Sequence, residues 1–99
     1  MPADQTTRPQ ATHAVLMDDA RVRVTRWDFP PGAETGWHRH AHDYVVTPLT
    51  DLTLRLEDAN GSRVVTVAKG SAYGRAEGTE HNVINDGDAF MSFVEIELK

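Results

Sequence analysis

The sequence predicts an all-β domain, a sandwich or barrel of about nine short strands. Three observations carry that prediction. Apolar and polar residues alternate over short runs, turn signals recur at roughly 8–12-residue spacing, and no stretch shows helical periodicity. With 99 residues there is enough chain for one hydrophobic core and not for two. No linker, repeat or low-complexity tract divides it.

Residues 1–12 are polar, carry two prolines and have no periodicity, which predicts a flexible N-terminal arm ahead of a single domain over residues 13–99. His13 to Met17 opens an edge strand. In Arg21 to Phe29, Val22 and Val24 share one face while Arg21, Arg23 and Thr25 share the other. Trp27 and Phe29 fall in the polar phase, so this strand needs a bulge or a buried second face. Pro30-Pro31-Gly32 ends it with a turn. Next comes G-A-E-T-G-W-H-R-H-A-H-D-Y, Gly32 to Tyr44, which puts His38, His40 and His42 at every second position. In an extended chain that spacing lines imidazoles along one side, an arrangement suited to metal binding or proton transfer.

Tyr44 to Thr47 is a short β-branched strand that Pro48 stops or confines to an edge. Leu52, Leu54 and Leu56 alternate with Thr53, Arg55 and Glu57. Asn60-Gly61 is the strongest hairpin signal, and Arg63 to Ala68 is the return strand. Tyr73 to Ala76 is short and is broken by Gly78 from a segment starting at His81. Asp86-Gly87 marks another tight turn. The last strand, Phe90 to Leu98, places Phe90, Val94, Ile96 and Leu98 on one face, Met91 and Phe93 on the other.

Composition excludes several functions. There are no cysteines, so disulfides and thiolate metal sites are absent, and any metal must be held by His, carboxylate, Tyr or water. A formal net charge of −5 with no Lys/Arg cluster argues against nucleic acid as a partner. No apolar run reaches the roughly 18 residues of a membrane span, and the N-terminus lacks a signal-peptide core. A cytoplasmic protein without membrane contact is expected. The small barrel with its loose arm leaves a strand edge to cover, which predicts a homodimer.

Two glycine-framed segments match a known pattern. The first is Gly32, five residues, His38, one residue, His40, three residues, Tyr44. The second is Gly70, five residues, Ala76, one residue, Gly78, two residues, His81, three residues, Asn85. Together they resemble the two-motif signature of the cupin superfamily, G-x5-H-x-H-x3/4-E-x6-G and G-x5-P-x-G-x2-H-x3-N. The run W-H-R-H-A-H-D-Y-V-V-T-P-L-T, with H-N-V-I-N and F-V-E-I-E-L-K, is similar to small single-domain cupins associated with β-alanine degradation. The resemblance implies a cupin-type double-stranded β-helix, a jelly-roll barrel. It also implies a divalent transition metal (Zn, Fe, Ni or Mn) inside, held by His38, His40 and His81.

The sequence departs from that signature. The first motif's metal-binding glutamate is Tyr44 here, its trailing glycine is missing, and the second motif's proline is Ala76. Three neutral imidazoles would leave the cation its full charge and an open position. Tyr44 becomes the catalytic candidate, as a phenolate ligand or as an acid or base. His42 is expected at the rim and Asp43 toward solvent, both close enough to support a ligand imidazole from behind. Asn85 is expected to hold the turn before Asp86-Gly87. Trp27, Trp37, Tyr73, Met91 and Phe93 are candidate pocket walls. One of Arg26, Arg55 and Arg75, turned inward, would suit a carboxylate. These residues fit a metal-dependent dioxygenase, lyase or isomerase on a small carboxylated metabolite, or a non-catalytic cupin that binds a small molecule or stores metal.

Overall fold

The computed structural model describes residues 8–99, which form nine strands in two antiparallel sheets. They are β1 (Thr12–Asp18), β2 (Val22–Phe29), β3 (His38–Arg39), β4 (Asp43–Pro48), β5 (Leu52–Asp58), β6 (Gly61–Val67), β7 (Tyr73–Arg75), β8 (Glu80–Asn85) and β9 (Met91–Leu98). One sheet runs β1-β2-β9-β4-β7, the other β3-β8-β5-β6. The topology is that of a long hairpin rolled up. β5 pairs with β6 at its apex, followed outward by β4 with β7, β3 with β8 and β2 with β9. The β4–β9 and β5–β8 ladders close the roll. This is the expected jelly-roll barrel. Among the described residues, no helix is long and apolar enough to cross a membrane.

The core follows strand parity. Leu52, Leu54 and Leu56 on β5 are buried, and Thr53, Arg55 and Glu57 between them are not. They meet Phe29, Val46, Met91 and Phe93 from the facing sheet. Of the two alternatives for β2, a bulge or a buried second face, the bulge does not form. The β2–β9 register runs unbroken from Val22↔Leu98 to Phe29↔Met91. Thr25, Trp27 and Phe29 are the inward face, and Val22 and Val24 look outward. The register shift lies instead in β1, between Val15 and Met17. β9 starts one residue later than the sequence suggests, leaving Phe90 half exposed outside the strand.

The β5–β6 turn also differs from expectation. Asp58 faces Gly61, so the two turn residues are Ala59 and Asn60. The Asp58 carboxylate accepts the Asn60 N–H at 2.8 Å, an Asx turn, and Gly61 alone takes positive φ, +117°. Of the arm expected over residues 1–12, residues 1–7 lie outside the described residues. The Ala11 N–H donates to the Glu34 carbonyl at 2.9 Å and the Ala11 side chain is buried. β1 follows as the edge of its sheet, with every residue exposed.

Candidate metal centre

His38 and His81 lie 43 positions apart yet sit directly opposite each other, because β3 and β8 are the third rung of the rolled hairpin. β3 is only two residues long, so the extended run of three histidines does not form. The chain leaves the ladder after Arg39 but stays pinned. The His40 N–H donates to the Thr79 carbonyl at 2.9 Å, and the Gly78 N–H donates to the His40 carbonyl at 2.8 Å. Gly78 makes that return with φ of +88°, a conformation an L side chain rarely adopts. The second-motif glycine therefore holds the first motif's second histidine.

The three imidazoles converge. Nε2 of His40 is 3.0 Å from Nε2 of His38 and 3.2 Å from Nε2 of His81. On His38, Nδ1 lies 2.8 Å from the Gly36 carbonyl, which can only accept, so Nδ1 carries the proton and Nε2 the lone pair. Burial, helped by the two neighbouring imidazoles, lowers the His40 pKa to about 3. Burial and then His38 lower that of His81 to about 4. Both are neutral at neutral pH. Imidazole lone pairs held this close need a cation or a proton between them. Metal–nitrogen bonds of about 2.0–2.1 Å, set roughly 90–110° apart, would separate neighbouring donors by about 2.8–3.4 Å. The two spacings to His40 fit such a site, and His38, His40 and His81, whose donor atoms all lie within 4.8 Å of one another, are the residues that would hold the ion.

No family model matches the chain. It is 56 % identical over 92 residues, 93 % of this chain and 97 % of the relative, to the beta-alanine degradation protein BauB of Pseudomonas aeruginosa. It is 53 % identical to a cupin domain from Bordetella pertussis, covering 95 % of this chain and 98 % of that one, with a TM-score of 0.92. The chain belongs to the cupin family. It is a small cupin similar to BauB. The polyketide cyclase RemF of Streptomyces resistomycificus, at 20 % identity and a TM-score of 0.73 over 98 % of this cupin and 72 % of that chain, shares the fold.

In this cupin Tyr44 is buried on β4, its ring stacked on His40 with centroids 3.8 Å apart and planes 19° from parallel. Burial, with Tyr73 and Glu95 nearby, raises its phenol pKa and keeps the proton on. That state suits a hydrogen-bond donor better than a phenolate ligand. Asp43 supports no imidazole: its carboxylate accepts the Glu77 N–H at 2.7 Å, tying β4 to the turn before β8. His42 lies half-buried in the bend between β3 and β4, outside the group of three. Among the proposed walls, Trp27, Tyr73 and Phe93 line the cavity, while Trp37 is 55 % exposed and Met91 packs near Thr53 instead. Arg26 and Arg55 point outward to Asp28 and Asp86. Arg75 stands opposite Tyr44 in register but is exposed and outside the cavity lining, with its guanidinium 4.7 Å from the centre of the Tyr73 ring.

Reasoning from sequence missed Glu95. It lines the same cavity from β9, with its side chain 12 % exposed. Burial, and the like charge of Glu97 after it, push its carboxyl up to about 7, against the pull of the Trp27 indole N–H. The signal was there: with Met91 and Phe93 inward, parity puts Glu95 inward too.

Proposed function

We propose that this cupin is a metal-dependent enzyme acting on a small carboxylated metabolite, with a divalent transition metal held by His38, His40 and His81. The observation that carries the reading is that the His40 Nε2 lies 3.0 and 3.2 Å from the Nε2 atoms of His38 and His81 inside the barrel. Such a cation supplies Lewis-acid polarisation of a carbonyl or carboxylate oxygen, or activation of water or dioxygen. The chain's own residues do the rest. Tyr44 fixes the plane of His40 and offers a protonated phenol to a bound oxygen. Arg75, exposed beside the Tyr73 ring, offers a fork that matches a carboxylate. The relative's role in β-alanine degradation supports a small carboxylate as the substrate class.

The cavity at the histidines has a volume of about 20 Å³, room for about one water-sized group, so only a small head group of the substrate reaches it. That small volume also favours a second reading, a cupin that binds metal or a small molecule without turnover. The two part at His38→Ala, which abolishes turnover in the first and only weakens binding in the second. Elemental analysis of purified protein beside the His38→Ala/His40→Ala double variant tests the centre itself. Near-stoichiometric transition metal is expected only in the parent, and equal trace metal in both would end the metal reading.

We further infer a cytoplasmic homodimer. Val15, Leu16 and Met17 are about half exposed on the β1 edge, and Met17, Val24, Ile96 and Val45 form one row across the outer sheet face by register. A second copy of the chain suits that surface. Sedimentation as a monomer at micromolar concentration would contradict it.

A further inference from the structure

The three histidines come from β3, the loop after it, and β8. The missing piece is a carboxylate, since Tyr44 occupies the position where the family's first motif has one. Three neutral imidazoles around a divalent ion leave a buried charge of +2, and an uncompensated buried charge is costly. A barrel that binds such an ion is expected to bring an acid to it from somewhere else.

Glu95 is the one acid among the residues lining the cavity. It reaches in from β9, the strand paired with β4, opposite Val46 and next to Phe93 on the inward face. Its Oε2 lies 3.9 Å from Nδ1 of His40, the nitrogen turned away from the converging Nε2 atoms. The separation exceeds a hydrogen bond by less than about 1 Å, too little to admit a bridging water. A small side-chain rotation closes it. His38 already has its Nδ1 proton placed by the Gly36 carbonyl. His40 sits between the other two imidazoles, and Glu95 is the acceptor its Nδ1 faces.

We propose that Glu95 is the positioning carboxylate of the metal centre, accepting the His40 Nδ1–H so that the Nε2 lone pair faces the ion, and supplying the negative charge that the first motif lacks. This rests on the metal reading above. The acid has moved from β4 to β9, its neighbour in the same sheet. It acts on the ion through His40 rather than by ligation. Carboxylates that hold a ligand histidine in this way typically contribute about 10- to 100-fold in metal affinity.

The test uses the full chain, stripped with a chelator and titrated with Co(II) in competition with a coloured chelator, as parent, Glu95→Gln and Glu95→Asp. Glu95→Gln keeps the shape and removes the charge. The expected result is a loss of about 10- to 100-fold in Co(II) affinity for Glu95→Gln, with partial recovery in Glu95→Asp. The Co(II) absorption bands should keep their positions and intensity, because the ligand set is unchanged. In the Zn(II)-loaded protein, the His40 Nδ1–H proton resonance should move upfield in Glu95→Gln while that of His38 stays. A merely structural role would lower the thermal midpoint of the stripped variant and leave that resonance in place. Unchanged affinity in Glu95→Gln overturns the proposal, as does a Co(II) spectrum showing that an oxygen ligand has been lost. Failure of the parent to bind Co(II) overturns the metal reading itself, and so is distinguishable from failure of the Glu95 role.

Discussion

Two groups of buried polar side chains lie inside this barrel, and they are satisfied in opposite ways. At Asn85 every polar atom closes on the protein: the amide donates to the Phe29 carbonyl at 3.0 Å and the Ala89 carbonyl at 2.8 Å, and its oxygen accepts the Gly87 N–H at 2.9 Å. Nearby, the buried Ser92 hydroxyl finds the Trp27 carbonyl and the Asp28 carboxylate. At His38, His40 and His81 the backbone takes only one ring nitrogen, and three others point at one another. Buried polar groups that are closed on the chain stabilise it, whereas groups aimed at a common point wait for something that is not the chain. Asn85 is architecture, and the three histidines are a group that could hold a metal ion.

That contrast can be broken by exchanging the consequences of mutation. His81→Ala should remove metal binding, lowering affinity more than 100-fold, while the chelator-stripped variant unfolds close to its parent. In the parent, metal at about 100 times its Kd should stabilise by roughly 2.7 kcal/mol, and in His81→Ala by almost nothing, read as the shift in thermal midpoint. Asn85→Ala should do the reverse. Losing three hydrogen bonds in a site 2 % exposed should cost about 2–4 kcal/mol in urea unfolding, with metal affinity of the folded fraction unchanged. Loss of metal binding in Asn85→Ala without loss of stability would erase the distinction.

Acid sharpens it next. His40 and His81 have pKa values depressed by burial to about 3 and about 4, so below the ordinary 6.5 the unfolded chain binds protons first. Stability of the stripped protein from these groups is therefore full above pH 6.5 and falls as the pH drops. Glu95 is raised from 4.5 to about 7, so its contribution has the opposite sign: it is present at low pH and lost as the pH rises through 7. Around it stand His40, Trp27, Tyr44, Tyr73 and Glu97. Between pH 7 and 5 the two effects oppose each other. Stripped Glu95→Gln should lose roughly twice as much stability as the stripped parent over that range. Parallel curves for the two proteins would mean that Glu95 is ionised in the fold. The smallest effect is expected from Tyr44→Phe, which keeps the stack on His40: metal affinity should stay within about twofold and stability within about 1 kcal/mol. A large loss of metal there would make the phenol a ligand.

The amino-acid sequence by itself determined the strands, most turns and the identity of the three histidines. Those depend on local patterns, alternation and fixed motif spacing, that survive without knowing what pairs with what. Leu52, Leu54 and Leu56 read as one inward face and lie on one. Tertiary structure alone decided which phase of an ambiguous strand faces in. Trp27 and Phe29 turned β2 over because the larger aromatic surface is buried at the expense of Val22 and Val24, a choice set by the facing sheet. It also decided that Asp43 is tied to Glu77 where the chain turns out of the strand after Arg39, while His42 stays outside the group as the motif resemblance implied. Glu95 shows the limit most clearly. Its inward parity was visible, but that it meets His40 depends on the roll that lays β9 beside β4, and pairing between distant strands is a property of the whole barrel.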